Sequence, residues 1–442
     1  MILFTNATLV EFDPPRIRYN EDVLVEGDTI IKVGKGLDAS GVERTVDGSG
    51  KLLFPGIVCS HTHFYSGLSR GIMANIGDTP DFVSILKNLW WRLDRALDSE
   101  SLRASGLICS LDAIRAGTTA VIDHHASPNF ISGSLDVLKK AFEETGLRGT
   151  TCYEVTDRHG EEAMQEGVDE NIAFARSIDA EKKAGTWSGL TEAHIGGHAP
   201  CTLPDAALKL LADACEERGR GFHVHLAEDA WDVSHSHINY GKDLVFRLDD
   251  FGLVRDNSIL VHGVHLNPDE VERINERGAF LVHNSRSNMN NGVGYNPNLP
   301  RLENWALGTD GIGSDMFAEM QSAYFKHKDE KGPLWPGDFL AALAAGNRIL
   351  EKSFGRPFGR IEPGYTADLV VADYASPTPL EPENIAGHMV FGMASNIVET
   401  VMINGRIVME KRSFPGIPRE DIYRDAAEQA RRLWERMDRI TP

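Results

Sequence analysis

The sequence predicts an α/β protein, a (β/α)8 barrel with a smaller sheet domain made from both chain ends. Three observations predict it. Short apolar runs alternate with longer amphipathic segments through the middle of the chain. β-branched runs bracket that middle on both sides. Histidines and carboxylates gather at the far ends of the apolar runs, which is where a barrel carries its chemistry.

The ends come first. VLVEGDTIIKVG (23–34) reads as strand, Gly-Asp turn, strand. GYTADLVVADY (364–374) and VETVMINGRIVME (398–410) are β-branched, and Asn404-Gly405 marks a hairpin turn in the second. The two ends pair into one domain, so the expected organisation is 1–54 and 361–442 around a barrel at 55–360. The last segment, from Arg419 to Met437, carries apolar residues at 422, 426, 430, 433 and 437. That stripe predicts a helix docked on the protein or on a partner subunit.

Eight runs form the expected barrel strands: GIVCSH (56–61), TTAVIDH (118–124), RGTTCYEV (148–155), LTEAHIGG (190–197), GFHVHLA (221–227), SILVHG (258–263), AFLVHN (279–284) and WALGTD (305–310). The spacers are long enough for a helix each, as at Asp205–Gly219 with Leu208, Leu211 and Cys215 on one face. The longest follows the first strand and holds KNLWWRLDRAL (87–97). Its Trp90 and Trp91 either cap a substrate or pack as core aromatics of a loop helix.

Composition narrows the function. The 45 Lys+Arg against 65 Asp+Glu give a net charge of −20, which repels phosphate backbones and anionic membranes. Nucleic acid and membrane partners are therefore not expected. The five cysteines (59, 109, 152, 201 and 215) form no CxxC pair and suit a reducing compartment. The start MILFTNATLVEFDPP is no signal peptide, and no apolar run approaches the ~20 residues of a membrane helix. A cytoplasmic protein is expected.

The polar strand ends point to a metal. His61 and His63 sit at i and i+2, so a strand would aim both rings into one pocket. His225 and Glu228 close the fifth run, His262 the sixth and Asp310 the eighth. Several polar groups buried together need a shared purpose. His61, His63, His225 and Asp310 would hold one divalent cation, Zn2+ or Fe2+. Glu228 lies close enough to move protons, and His262 to steady the water or the tetrahedral intermediate. His223 shares a face with His225, and spacing does not separate the two. His124, His125 and His283 read as hydrogen-bonded core histidines. His198, in GGHAPCT, reads either as a substrate contact or as a turn cap.

PGIVCSHTHF, AGTTAVID, HAPCTLP, HVHLAE, VHG, HNSRSNMNNGVG, LGTDGIGSD and GYTADLVVAD occur in that order along the chain. Together they resemble the amidohydrolase superfamily, in its cytosine-deaminase and chlorohydrolase-like branch. YSGLSRGIMANI and GPLWP are similar to the SsnA-type aminohydrolases. The resemblance implies that the sheet domain is a β-sandwich. It implies His225 rather than His223 as ligand, Glu228 as proton shuttle, His262 as the polarising group, and Asp310 as ligand and base. It favours His198 as a substrate contact, to stand beside Trp91, the substrate-capping residue of the Trp-bearing segment. Two-metal relatives of this style bridge their ions with a lysine late in the fourth strand. LTEAHIGG has none, so one metal is expected. Ser285 stands where relatives usually carry proline, and DHHA doubles a histidine.

The expected activity is hydrolytic deamination of a purine- or pyrimidine-like N-heterocycle. Cyclic-amide hydrolysis and triazine dechlorination or N-dealkylation are the alternatives with the same site. A non-catalytic metal-binding protein is the alternative of another class. Homo-oligomers are the default for such enzymes.

Overall fold

A computed structural model describes residues 1–441. Strand Ile2–Phe12 pairs antiparallel with Pro15–Glu26 and parallel with Leu52–Pro55. Leu52–Pro55 in turn pairs antiparallel with Leu369–Ala372, which joins the C-terminal strands Val398–Ile403 and Arg406–Met409. The chain ends thus form one eight-stranded sheet. Asn404 and Gly405 turn the last hairpin with φ 52° and 71°, the left-handed pair that a two-residue hairpin requires.

Between the ends lie two parallel sheets. One contains Ile57–Thr62, Thr118–Asp123, Arg148–Thr151 and Thr191–Ala193; the other contains Ile195–Gly197, Phe222–Leu226, Ile259–His262, Phe280–His283 and Trp305–Leu307. These strands are buried throughout, as β-branched and apolar runs covered on both faces must be. The expected strand 190–197 is therefore two pieces, split at His194. The reason is a change of partner: the His194 amide donates to Thr151 O, and the Ile195 amide donates to Gly221 O. Gly196 permits the switch, because a Cβ there would lie 2.4 Å from the Tyr153 carbonyl oxygen. At the other margin, the Thr309 and Asp310 amides donate to His61 O, at 2.8 and 3.1 Å.

Helices fill the spacers. Asp205–Arg218 buries Leu208, Leu211 and Cys215 as the pattern predicts. The Trp-bearing insertion after the first strand forms the short helices Phe82–Ile85, Leu86–Trp90 and Trp91–Ala96. The C-terminal helix Arg419–Met437 docks on this chain itself, against the insertion and Ser99–Arg115. Arg92 pins its end by donating to Met437 O at 2.6 Å and Ile440 O at 2.9 Å. No helix among the described residues is long and apolar enough to cross a membrane.

Candidate active site

Strand Ile57–Thr62 carries His61 on its last turn of pleat, and His63 follows one residue past its end. Their rings lie 4.8 Å apart, centroid to centroid. Each ring spends Nδ1 on the surrounding protein and turns Nε2 toward Asp310. His61 Nδ1 pairs with His223 Nε2 at 2.9 Å, and His63 Nδ1 donates to His124 O at 2.6 Å. His63 Nε2 lies 2.7 Å from Asp310 Oδ1 and 3.2 Å from His225 Nε2. His61 Nε2 lies 3.3 Å from the same Asp310 oxygen.

These separations test the fit of a metal. Donors bound tetrahedrally at ~2.0–2.1 Å stand ~3.3 Å from one another, close to two of the three observed separations. Donor atoms of His61, His225, His262 and Asp310 also fall within 4.8 Å of one another. The electrostatics agree. Burial pushes His63 down, yet its hydrogen bonds to the Asp310 and Glu154 carboxylates, and their charge, outweigh burial and hold it well above its ordinary value. The pocket thus favours positive charge at this point. Imidazole nitrogens with one carboxylate suit Zn2+ or Fe2+. His223 stands behind His61, on the nitrogen that faces away from Asp310.

Glu228 and Asp310 line the cleft, and the fully buried His262 lies behind them. His262 Nε2 is 3.5 Å from Glu228 Oε2 and has no hydrogen-bond partner. Burial, then the charge of Asp310, pushes the Glu228 carboxyl well above the usual range. Burial lowers His262, so its ring is neutral near pH 7. Ala227, His262 and Asp310 have φ of 49°, 72° and 52°. Left-handed backbone at non-glycine residues costs ~1–2 kcal/mol each, and such strain collects at functional sites.

A cleft opens above these groups. Phe82, Trp90, Trp91 and Trp231 make an apolar wall, faced by Asp94 and Glu154. Trp91 lies under the Arg158 guanidinium, 4.7 Å from the ring centroid, and its Nε1 has no partner. His198 also lines the cleft, its Nδ1 2.8 Å from Thr202 Oγ1. The two readings of His198 are thus compatible: the ring braces a turn and faces the cavity.

Of the other histidines, His125 pairs with Ser127 Oγ at 2.8 Å, as a core histidine should. His124 stacks on His223 at 4.4 Å, with its Nδ1 3.3 Å from Glu154 Oε1. His283 is buried with neither nitrogen hydrogen-bonded, which departs from the expectation of a hydrogen-bonded core. Ser285 Oγ is likewise buried without a partner. Sequence reasoning passed over Glu154 and Asp94. Glu154 closes the run RGTTCYEV, so the strand-end rule that found the histidines would have found it too. It also passed over Ser287, Asn288 and Asn291.

Residues 52–408 match the amidohydrolase family. The chain is 30% identical over 450 residues to the 5-methylthioadenosine/S-adenosylhomocysteine deaminase of Pelotomaculum thermopropionicum, covering 98% of this chain and 99% of that one. A zinc-bound adenosine deaminase from Xanthomonas campestris superposes with TM-score 0.84 and 25% identity over 98% of each chain. The zinc-complexed atrazine chlorohydrolase TrzN of Arthrobacter aurescens TC1 shares the fold, with TM-score 0.80 and 21% identity over 97% of this chain and 100% of that one. By this match and by the relative aligned along almost its whole length, the chain belongs to the amidohydrolase family.

Proposed function

We propose that the protein is a metal-dependent deaminase that removes an exocyclic amine from a purine- or pyrimidine-like ring and releases ammonia. One observation carries the reading: Nε2 of His61 and His63 approach Asp310 Oδ1, His225 Nε2 lies beside His63 Nε2, and His262 Nε2 lies 3.5 Å from Glu228 on the cleft wall. The deaminase names of the relatives support it.

His61, His63, His225 and Asp310 would hold one ion. Such an ion, when bound, supplies Lewis acidity and makes water nucleophilic near neutral pH. The remaining work falls to side chains. Glu228, its carboxyl held high by burial, keeps a proton at the cleft wall and gives it to the ring nitrogen; of the two protons the attacking water gives up, one passes through Glu228 to the leaving amine and the other restores the carboxyl. His262, its Nε2 3.5 Å from Glu228 and without a hydrogen-bond partner, accepts a hydrogen bond from the attacking water. Asp310 serves as base as well as ligand. Trp91 and its neighbours supply a flat apolar wall for a ring, and His198 a polar edge.

The same reading takes 55–360 as one closed barrel and the chain ends as a β-sandwich. Parallel bridges at Thr62–Asp310 and Val155–Gly197 support closure. A core of Phe4, Val23, Leu53, Ile361 and Leu369 supports a sheet folded on itself. Free, mostly buried cysteines support a cytoplasmic setting.

The test is a screen of the zinc-loaded protein for ammonia release across aminated purines, pyrimidines and their nucleosides. Ammonia from at least one, abolished by Glu228→Gln with zinc retained, is the expected result. Chloride or a ring-opened acid in its place would move the assignment to the chlorohydrolase or cyclic-amide alternative.

A further inference from the structure

A seven-residue helix, Ser285–Asn291, lies across the back of the pocket residues. Its positions 287, 288 and 291 share one face, because residues one and four apart lie within ~100° on an α-helix. Each of the three meets a different member of the group just described. Ser287 Oγ donates to Asp310 Oδ2, the oxygen turned away from the histidines. Asn288 Oδ1 lies 2.8 Å from His262 Nδ1. Asn291 Nδ2 lies 3.4 Å from Glu228 Oε1.

The helix is held firmly from outside. Arg286, on the adjoining face, places its Nε 2.6 Å from Oε2 of the fully buried Glu319. The Arg286 amide reaches the other Glu319 oxygen at 3.2 Å. Removing one partner of such a pair strands the other charge in a buried place, so the contact is held firmly. A clamped helix therefore presents three polar groups in fixed relative positions.

We infer that Ser285–Asn291 is the positioning element of the site, with Ser287, Asn288 and Asn291 each orienting one of Asp310, His262 and Glu228. This rests on the roles proposed above for those three residues. The assignment is sharpest at His262. A carbonyl oxygen at Nδ1 accepts, so Nδ1 carries the hydrogen and Nε2 keeps its lone pair on the side of Glu228. Asn284 Nδ2 also faces Nδ1, at 3.5 Å, and would demand the opposite tautomer. The shorter contact to Asn288 prevails. Such partners behind a ligand or base typically govern 10–100-fold in metal affinity or activity.

The test uses the zinc-loaded full chain in three measurements: zinc loss to a chelator, side-chain 15N spectra of labelled histidines, and kcat with KM for ammonia release. The His262 signals are identified by their loss in His262→Gln. Ser287→Ala should lose zinc 10–100-fold faster than the parent, and Ser287→Thr, which keeps the hydroxyl, should stay within about three-fold. Asn288→Leu keeps the shape but not the acceptor, so His262 should spread over both tautomers and kcat should fall 10–100-fold with KM nearly unchanged. Asn288→Asp keeps an acceptor and should hold the Nδ1–H tautomer. An Nε2–H tautomer in the parent would overturn the inference. So would unchanged zinc loss in Ser287→Ala together with an unchanged tautomer in Asn288→Leu. Zinc loss and spectra are read without substrate. If they behave as expected while no aminated ring yields ammonia, the proposed function falls and the positioning role stands. If ammonia is released but neither measurement moves, the positioning role alone falls.

Discussion

The two ends of the parallel strands treat buried polar groups in opposite ways. At the N-terminal end, Arg148 opens its strand fully buried. Its guanidinium meets both Asp368 oxygens at 2.8 and 3.0 Å, Asn404 Oδ1 at 3.1 Å, and Gly189 O. Phe354 and Phe358 flank it, with centroids at 5.1 and 4.9 Å. Asp368 also takes the Asn404 amide at 2.7 Å. This cluster fastens the end sheet to the parallel strands and is closed to further ligands. At the C-terminal end, His262 Nε2, Trp91 Nε1, Asp94 Oδ1 and both nitrogens of His124 have no hydrogen-bond partner. An unsatisfied buried polar group costs ~1–3 kcal/mol. A satisfied cluster of charge is explained by stability alone; an unsatisfied one is explained by what it is kept for.

The sharpest way to break this comparison is to remove the ion. Dialysis against a chelator should abolish turnover and lower the melting temperature, and added Zn2+ should restore both. Retained activity in a metal-free sample would end the account of the C-terminal end. Next in size is Glu228→Gln, which should cost ~10²–10⁴-fold in kcat with zinc content unchanged, as measured by metal analysis. At the opposite end, Arg148→Ala strands the Asp368 carboxylate and should cost ~3–5 kcal/mol in denaturant unfolding. Its zinc occupancy should match that of the parent, because the two clusters share no residue. A stability near that of the parent would show that the closed cluster does not fasten the end sheet to the parallel strands.

The smallest expected effect concerns Asp94. Burial is the main force pushing its carboxyl up to about 7. The folded chain then holds a proton that the unfolded chain releases above about pH 4. Its contribution to stability falls by ~1.4 kcal/mol per pH unit from about pH 4 to pH 7 and stays low above that. Asp94→Asn removes the titration. Melting curves should show the variant more stable than the parent at pH 8 and equal to it near pH 4. Equal melting at both pH values would mean that Asp94 is not held protonated.

The sequence by itself determined whatever depends on local period and local chemistry. The His61–His63 pairing follows from a two-residue repeat. The Asn404-Gly405 hairpin follows from which residues tolerate positive φ, and the Arg419–Met437 helix from a helical stripe with clear ends. Strand existence was legible too, because fully buried strands read as continuous apolar runs. Only the tertiary structure decided which groups meet across elements. It split 190–197 between two sheets, seated the C-terminal helix on Arg92, and brought Glu154 behind His63. It also laid Ser287, Asn288 and Asn291 against residues 23, 26 and 63 positions away. Period tells a side chain which face it occupies. It carries no information on what another strand or helix, folded back from far along the chain, sets opposite that face.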